Sequence, residues 1–164
     1  MIEPSSPASL PASPRKVSEA AQALGLKITV HVMTHSTRTA EEAAAACACK
    51  VGQIVKSLVF KGRGSGKALL FLVAGDNRLD EKIAADLAGE ALERPDARFV
   101  REETGFAIGG VPPFGHKNPL ATFMDEDLCV HETVWAAAGA PNAVFPIAPN
   151  LLREATSARL ARLA

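Results

Sequence analysis

Apolar residues recur at helical spacing at Val17, Ala20, Ala21 and Leu24, behind Ser13 as N-cap and Pro14 at the first helical position, with Gly25 as a stop. The pattern predicts a helix of about three turns starting at Pro14. Residues 28–33 switch to alternation and are rich in β-branched side chains, which predicts a strand. Thr39 and Glu42 form a capping box for an alanine-rich helix ending near Cys49. Two β-rich runs, 53–60 and 68–74, flank the glycine-rich stretch 61–67 and read as a hairpin with a flexible tip. Helical spacing returns over 79–87, with Asp80 and Glu81 in the first turn and Gly89 at the end. A strand near 97–100 then leads into a short helical turn at 101–106, and the glycines and prolines of 108–118 predict a rigid loop. Strands are expected near 120–124, 128–131, 133–137 and 143–147, followed by a helix from Pro149 to about Thr156 and a fraying tail. This order predicts a mixed α+β fold rather than a doubly wound sheet.

Pro4, Pro7, Pro11 and Pro14 are separated by Ser and Ala with almost no large apolar side chain. Residues 1–13 therefore read as a disordered tail and 14–164 as a single domain. The chain of 164 residues is 48% apolar and 22% charged, the balance of an ordinary globular protein. Eighteen basic residues balance eighteen acidic ones, so no overall field holds it to long duplex nucleic acid or an anionic membrane. Cys47, Cys49 and Cys129 form an odd set behind an N-terminus without a leader pattern, which points to a reducing cytoplasm. No apolar stretch approaches the roughly 20 residues of a bilayer span. Tyr is absent and Phe totals seven, against a surface of many base-stacking aromatics.

Most chemical signals have dull readings. The stretch Gly62–Lys67 lacks the spacing and following helix of a nucleotide phosphate loop. His31 and His35 have no neighbouring third ligand, Cys47 and Cys49 point different ways on a helix, and Cys129 has no assigned His partner. No nucleophile elbow and no carboxylate pair stands out. Two features remain. Between Glu42 and Asp76 there is no acidic residue, while Lys50, Lys56, Lys61, Arg63 and Lys67 fall there. Lys56 lies on an otherwise apolar strand face with Leu58 and Phe60, either snorkelling at a sheet edge or paired with an anion in a cleft. In 104–116, glycines and prolines can hold backbone N–H groups in a preset array that grips a carbonyl or phosphate, or simply make a structural turn.

The segments "QIVKSLVF", "LVAGDNRLDEK", "ETGFAIGGVPPFGH", "FMDEDL" and "VWAAAGAPNAVF", in this order, resemble the YbaK/EbsC family of free-standing aminoacyl-tRNA deacylases, relatives of the editing domain of bacterial prolyl-tRNA synthetase. The resemblance covers about residues 15–155. It implies a largely antiparallel curved sheet or partial barrel flanked by helices, and hydrolysis of the ester on mischarged tRNA, typically tRNA(Pro) carrying Cys, Ala or another small residue. The family's strand lysine falls on Lys56 and its glycine-to-proline loop on Gly109 to Pro113. Lys56, Gly109 and Gly110 are the implied catalytic set, with Lys56 anchoring the terminal phosphate. Val111, Pro112, Pro113, Phe114, His116 and Asp125 are the implied substrate contacts. His116 either touches the substrate or caps the loop; Asp125 and Asn142 either help close the pocket or cap turns, and 137–139 near Pro141 offers a tight wall. Pro112 stands where cysteinyl-specific members commonly have Ser, which leaves the amino acid open. The attacking group is a water or a nucleophile within the substrate, and neither metal nor cofactor is implied. The expected partners are the aminoacyl-tRNA acceptor end and a prolyl-tRNA synthetase, with no membrane and a monomer or homodimer. The competing reading is a non-catalytic module that binds a tRNA end, a nucleotide or a synthetase.

Overall fold

β3 (Ala68–Ala74) is apolar and buried at every position, the pattern of a strand covered on both faces. In the computed structural model, which describes residues 2–164, it lies at the centre of a five-stranded sheet. The elements before it are α1 (Ala12–Ala23), β1 (His31–Val32), α2 (Ala40–Cys47) and β2 (Val55–Gly62). After it come α3 (Glu81–Ala88), β4 (Leu92–Glu93), α4 (Ala97–Thr104), β5 (Ala121–Asp125), β6 (Val134–Ala137), β7 (Ala143–Ile147), α5 (Pro149–Thr156) and β8 (Arg159–Ala161). The larger sheet runs β4-β2-β3-β5-β8, and β1-β7-β6 form a second, antiparallel sheet. β2 pairs antiparallel with β3 and β4, while β3, β5 and β8 run parallel. The expected α+β architecture is present, and neither sheet closes on itself.

Alternation along β3 builds two cores. Leu70, Leu72 and Ala74 join α1, the second sheet and Phe106, Val111 and Phe114 of the loop after α4. Leu69, Phe71 and Val73 face α3, Phe123 and Leu163. Phe71 stacks on Phe123 at 5.2 Å and meets Phe60 edge-on at 5.7 Å, the geometries aromatic quadrupoles favour.

Several expectations are corrected by local chemistry. Residues 97–100 are helical, not extended, because the Asp96 carboxylate accepts from Phe99 N at 2.8 Å and starts α4, whose Val100 and Thr104 are buried four residues apart. The strand expected at 128–131 is a 3-10 turn over Glu126–Val130, started by Asp125 accepting from Asp127 N. The expected fraying end contains β8, reached through the left-handed Ser157, and Leu163 is fully buried. β4 had no sequence signal, since two residues cannot display a period. The strand expected over 28–33 shrinks to His31–Val32. α1 begins at Ala12 with Pro11 in the cap position, so Ser13 is not its N-cap. Ahead of it, Leu10 is buried in the larger core and Ser5 N donates to Val30 O at 2.8 Å. Thr39 caps α2 by accepting from Glu42 N, while Glu42 reaches back to Arg38 N rather than to Thr39. Among the described residues no helix is long and apolar enough to cross a membrane.

Phe71 contacts both aromatic neighbours from the centre of the sheet. Phe71→Ala is expected to cost about 3–5 kcal/mol in urea unfolding; a loss below about 1 kcal/mol would show that the stack does not carry this core.

Candidate functional site

Lys56 sits on the face of β2 that carries Leu58 and Phe60, and its half-buried ammonium donates to the main-chain carbonyl of Asn77. Asn77 is fixed in turn: its N–H donates to Ala74 O at 2.9 Å, and its side-chain amide to Asp125 at 2.9 Å and Asp127 at 2.8 Å. Asp125, 1% exposed, also accepts from Ala74 N and Asp127 N. A buried carboxylate at the end of β5 thus sets the turn that sets the lysine. Lys56 joins no ion pair among the described residues, so its positive charge is met only by a neutral carbonyl.

Around Lys56 lies a cleft with two lobes that share Lys56, Ser57, Leu58, Gly109 and Val111. One lobe, about 330 Å³, is bordered by Arg78, Arg94, Pro95 and Ile108. Its carboxylate, Glu81, is held by Arg94 at 3.3 Å. The other lobe, about 280 Å³, is walled by Trp135, Ala137, Ala140 and Pro141, with Thr37 and Arg38 at its rim. A larger hollow of about 770 Å³, between His131 and α5, contains none of the expected residues, so volume alone is a poor guide to the chemistry here.

The loop facing Lys56 is braced from within. The buried Thr104 hydroxyl donates to Val100 O at 2.7 Å and accepts from Phe106 N, closing α4 and opening the loop. Lys117 N donates to Thr104 O and Asn118 N to Glu103 O, joining the loop's two ends. Gly109 has φ +92°, a left-handed conformation that side chains disfavour, and a Cβ on Gly110 would stand 2.6 Å from Ala140 Cα. Gly110 N donates to Ala107 O at 3.1 Å, whereas the N–H groups of Gly109 and Val111 meet no acceptor among the described residues. Ile108 N–H likewise meets no acceptor among the described residues, so the free donors lining the cleft at this turn are those of Ile108, Gly109 and Val111.

Of the residues singled out in the sequence, Lys56, Gly109 and Val111 line the cleft together, and Gly110 and the buried Pro112 lie beside them in the loop. Pro113, Phe114 and His116 border a different hollow, with Leu120 and Thr156. Phe114 packs on Phe145 at 5.5 Å, and His116 Nε2 lies 2.6 Å from Pro112 O, bracing the loop from behind. Asn142 binds Met33 O through its side-chain amide. Arg78, Arg94, Ser57 and Trp135 enter the cleft without having been singled out; Arg78, Ser57 and Trp135 lie within the segments that carry the resemblance, and Arg94 lies outside them. Burial and the nearby Cys49 push the Cys47 thiol up to about 12, and burial raises Cys129, so neither offers a ready thiolate. The cleft can hold an anion at Lys56 and a carbonyl at the loop amides, without a free carboxylate or imidazole to take a proton.

Asp125→Ala would leave Ala74 N and Asp127 N without their acceptor and the Asn77 amide with Asp127 alone; a loss of about 2–4 kcal/mol is expected in urea unfolding, and unchanged stability would remove Asp125 from this role. His116 gives a pH signature. Burial pushes its imidazole below the usual 6.5, only partly opposed by the bond to Pro112. The unfolded chain then takes up the proton first, so stability falls as pH drops below 6.5 and stops falling once the folded chain also protonates. Unfolding of wild type and His116→Gln between about pH 7 and 5 is expected to show a steeper decline in wild type; equal slopes would contradict it.

Residues 34–155 match the aminoacyl-tRNA editing domain family. A crystal structure of a candidate trans-editing enzyme for prolyl-tRNA synthetase superposes with a TM-score of 0.90 at 50% identity, covering 94% of this chain and 98% of that one. An uncharacterized Bacillus subtilis protein, YwhH, is 34% identical over 119 residues, 73% of this chain and 75% of its own length. The proline–tRNA ligase of Thermosipho africanus is 40% identical over 85 residues, 51% of this chain but 15% of the ligase. The kinship expected with prolyl-tRNA synthetase editing domains holds, and the chain belongs to the aminoacyl-tRNA editing domain family.

Proposed function

We propose that this chain is a deacylase that hydrolyses the aminoacyl ester of mischarged tRNA in trans, with tRNA(Pro) carrying a small noncognate amino acid such as Cys or Ala as substrate. The observation that carries the reading is the uncompensated Lys56 ammonium facing the Gly109–Val111 turn across one cleft. In this reading Lys56, with Arg78 and Arg94 in the same lobe, holds the phosphate of the 3′-terminal adenosine. The loop amides hold the acyl carbonyl and stabilise the oxyanion as it forms. The alanine-walled lobe takes the amino-acid side chain and excludes larger ones by size.

With no free side-chain base in the cleft, the attacking group is a water or a nucleophile supplied by the substrate, and the protein acts by placing the ester and its charge. Editing of this kind answers a physical limit, since a synthetase pocket separates substrates differing by one methylene by only about 1–3 kcal/mol. A balanced net charge suits an enzyme that grips only the acceptor end, with a prolyl-tRNA synthetase supplying the remaining tRNA affinity. The missing base also favours a second reading, a module that binds the charged end without turnover.

Lys56→Ala is the test. Removing a buried contact to a phosphate is expected to lower kcat/KM for deacylation at least about a hundredfold with unfolding unchanged within about 1 kcal/mol. Near-wild-type turnover in that variant would remove Lys56 from the mechanism. Saturable binding of charged tRNA by the wild type, with no release above the buffer rate, would favour the binding module.

A further inference from the structure

The outer edge of β2 is only partly paired. Gly62 N donates to Lys67 O, which places the even-numbered residues of β2 in bonding register with β3 and turns the odd-numbered main-chain groups outward. Arg63 N accordingly donates to Ala91 O, and Lys61 stands opposite Glu93 in β4. One step further, the position opposite Val59 would be Pro95, which has no N–H, and β4 ends at Glu93. At the other end, Ile54 bridges to Trp135 and Gln53 donates its side-chain amide to Thr133 O, and no further bridge joins β2 to β6 among the described residues. Among the described residues the outward N–H and C=O groups of Ser57 and Val59 therefore have no strand partner, and both residues line the cleft.

This gap is too short for a peptide strand, because Ser57 and Val59 are separated by only about 7 Å. It suits one residue. Across a bonded antiparallel pair, a residue gives its N–H to the carbonyl opposite and receives the N–H opposite on its own carbonyl. An aminoacyl ester carries the same two groups on one carbon, an α-ammonium donor and a carbonyl acceptor. Ser57 borders both lobes and faces the free Gly109 and Val111 amides, and its Oγ is buried with no hydrogen-bond partner among the described residues.

We infer that the aminoacyl group binds as a single residue of a missing neighbour strand, its α-ammonium donating to Ser57 C=O and its carbonyl accepting from Ser57 N–H through one lone pair while the other stays with the loop amides. The inference rests on the deacylase reading and adds to it how the amino acid is recognised. Main-chain groups read the part common to all amino acids, and the lobe walls read the side chain. Val59 then offers its own free pair to the adenosine on the phosphate side.

The stable amide 3′-deoxy-3′-(alanylamino)adenosine is the probe, followed by amide resonances and hydrogen exchange of the full chain. On binding, the Ser57 amide is expected to shift and become protected. Alanyl-tRNA(Pro) and lactyl-tRNA(Pro), which lacks the ammonium, provide the second arm. After division by each ester's rate in buffer, kcat/KM for the lactyl ester is expected to be about tenfold lower or more. Binding that perturbs Gly109 and Val111 but leaves Ser57 unmoved, or equal corrected rates for both esters, overturns the strand-like placement while the deacylase reading stands. Absence of both binding and hydrolysis overturns both.

Discussion

A carboxylate buried to 1% exposure destabilises its surroundings unless donors satisfy it, and Asp125 is satisfied by groups from the end of β3, the turn after it and the turn after β5. That requirement orders the molecule around the cleft. β3 and β5 are parallel neighbours, so their C-terminal ends lie side by side, and the carboxylate joins them where their ladder ends. The same bonds hold Asn77, whose carbonyl receives the Lys56 ammonium from the antiparallel neighbour β2. A cation without a counter-ion is therefore placed by an anion it does not touch. The separation leaves the lysine's charge available to a ligand.

The cleft follows from interruption of a sheet edge. β2 would expose a continuous row of polar groups were its flanks not covered, which sheets generally avoid. Here β4 covers one end, the bridge to Trp135 covers the other, and the braced loop carrying Gly109 faces the gap between them. Thr104, with its hydroxyl used on both sides, and the links from Lys117 and Asn118 keep that loop from collapsing into the gap. His116 and Phe114 support the loop from behind, away from Lys56.

Legibility in the sequence followed the range of the forces involved. The β2–β3 hairpin, α2, α3 and α5 were readable because periodicity and caps are local: Asp80 accepts from Lys82 N and Ile83 N, and Thr39 from Glu42 N. α4 was misread because the bulky Phe99 and Val100 suggest a strand, while the Asp96 cap and burial against the loop decide for helix. β8 and Leu163 were missed because only pairing with β5, distant in sequence, gives them structure. At the site, Lys56 was visible as a charge on an apolar strand face, and the glycine-proline loop as a rigid turn. Ser57, Arg94 and Trp135 were not, since their roles depend on which strand edge stays open.

The proposed removal of small noncognate amino acids from tRNA at this cleft is measured most directly as release of label from tRNA(Pro) charged in turn with Cys, Ala, Ser, 2-aminobutyrate and Pro. Editing by a lobe of about 280 Å³ walled with alanines requires rapid loss of one or two small noncognate residues with the prolyl ester spared. Release of none above the buffer rate, or of all five esters alike, would contradict it.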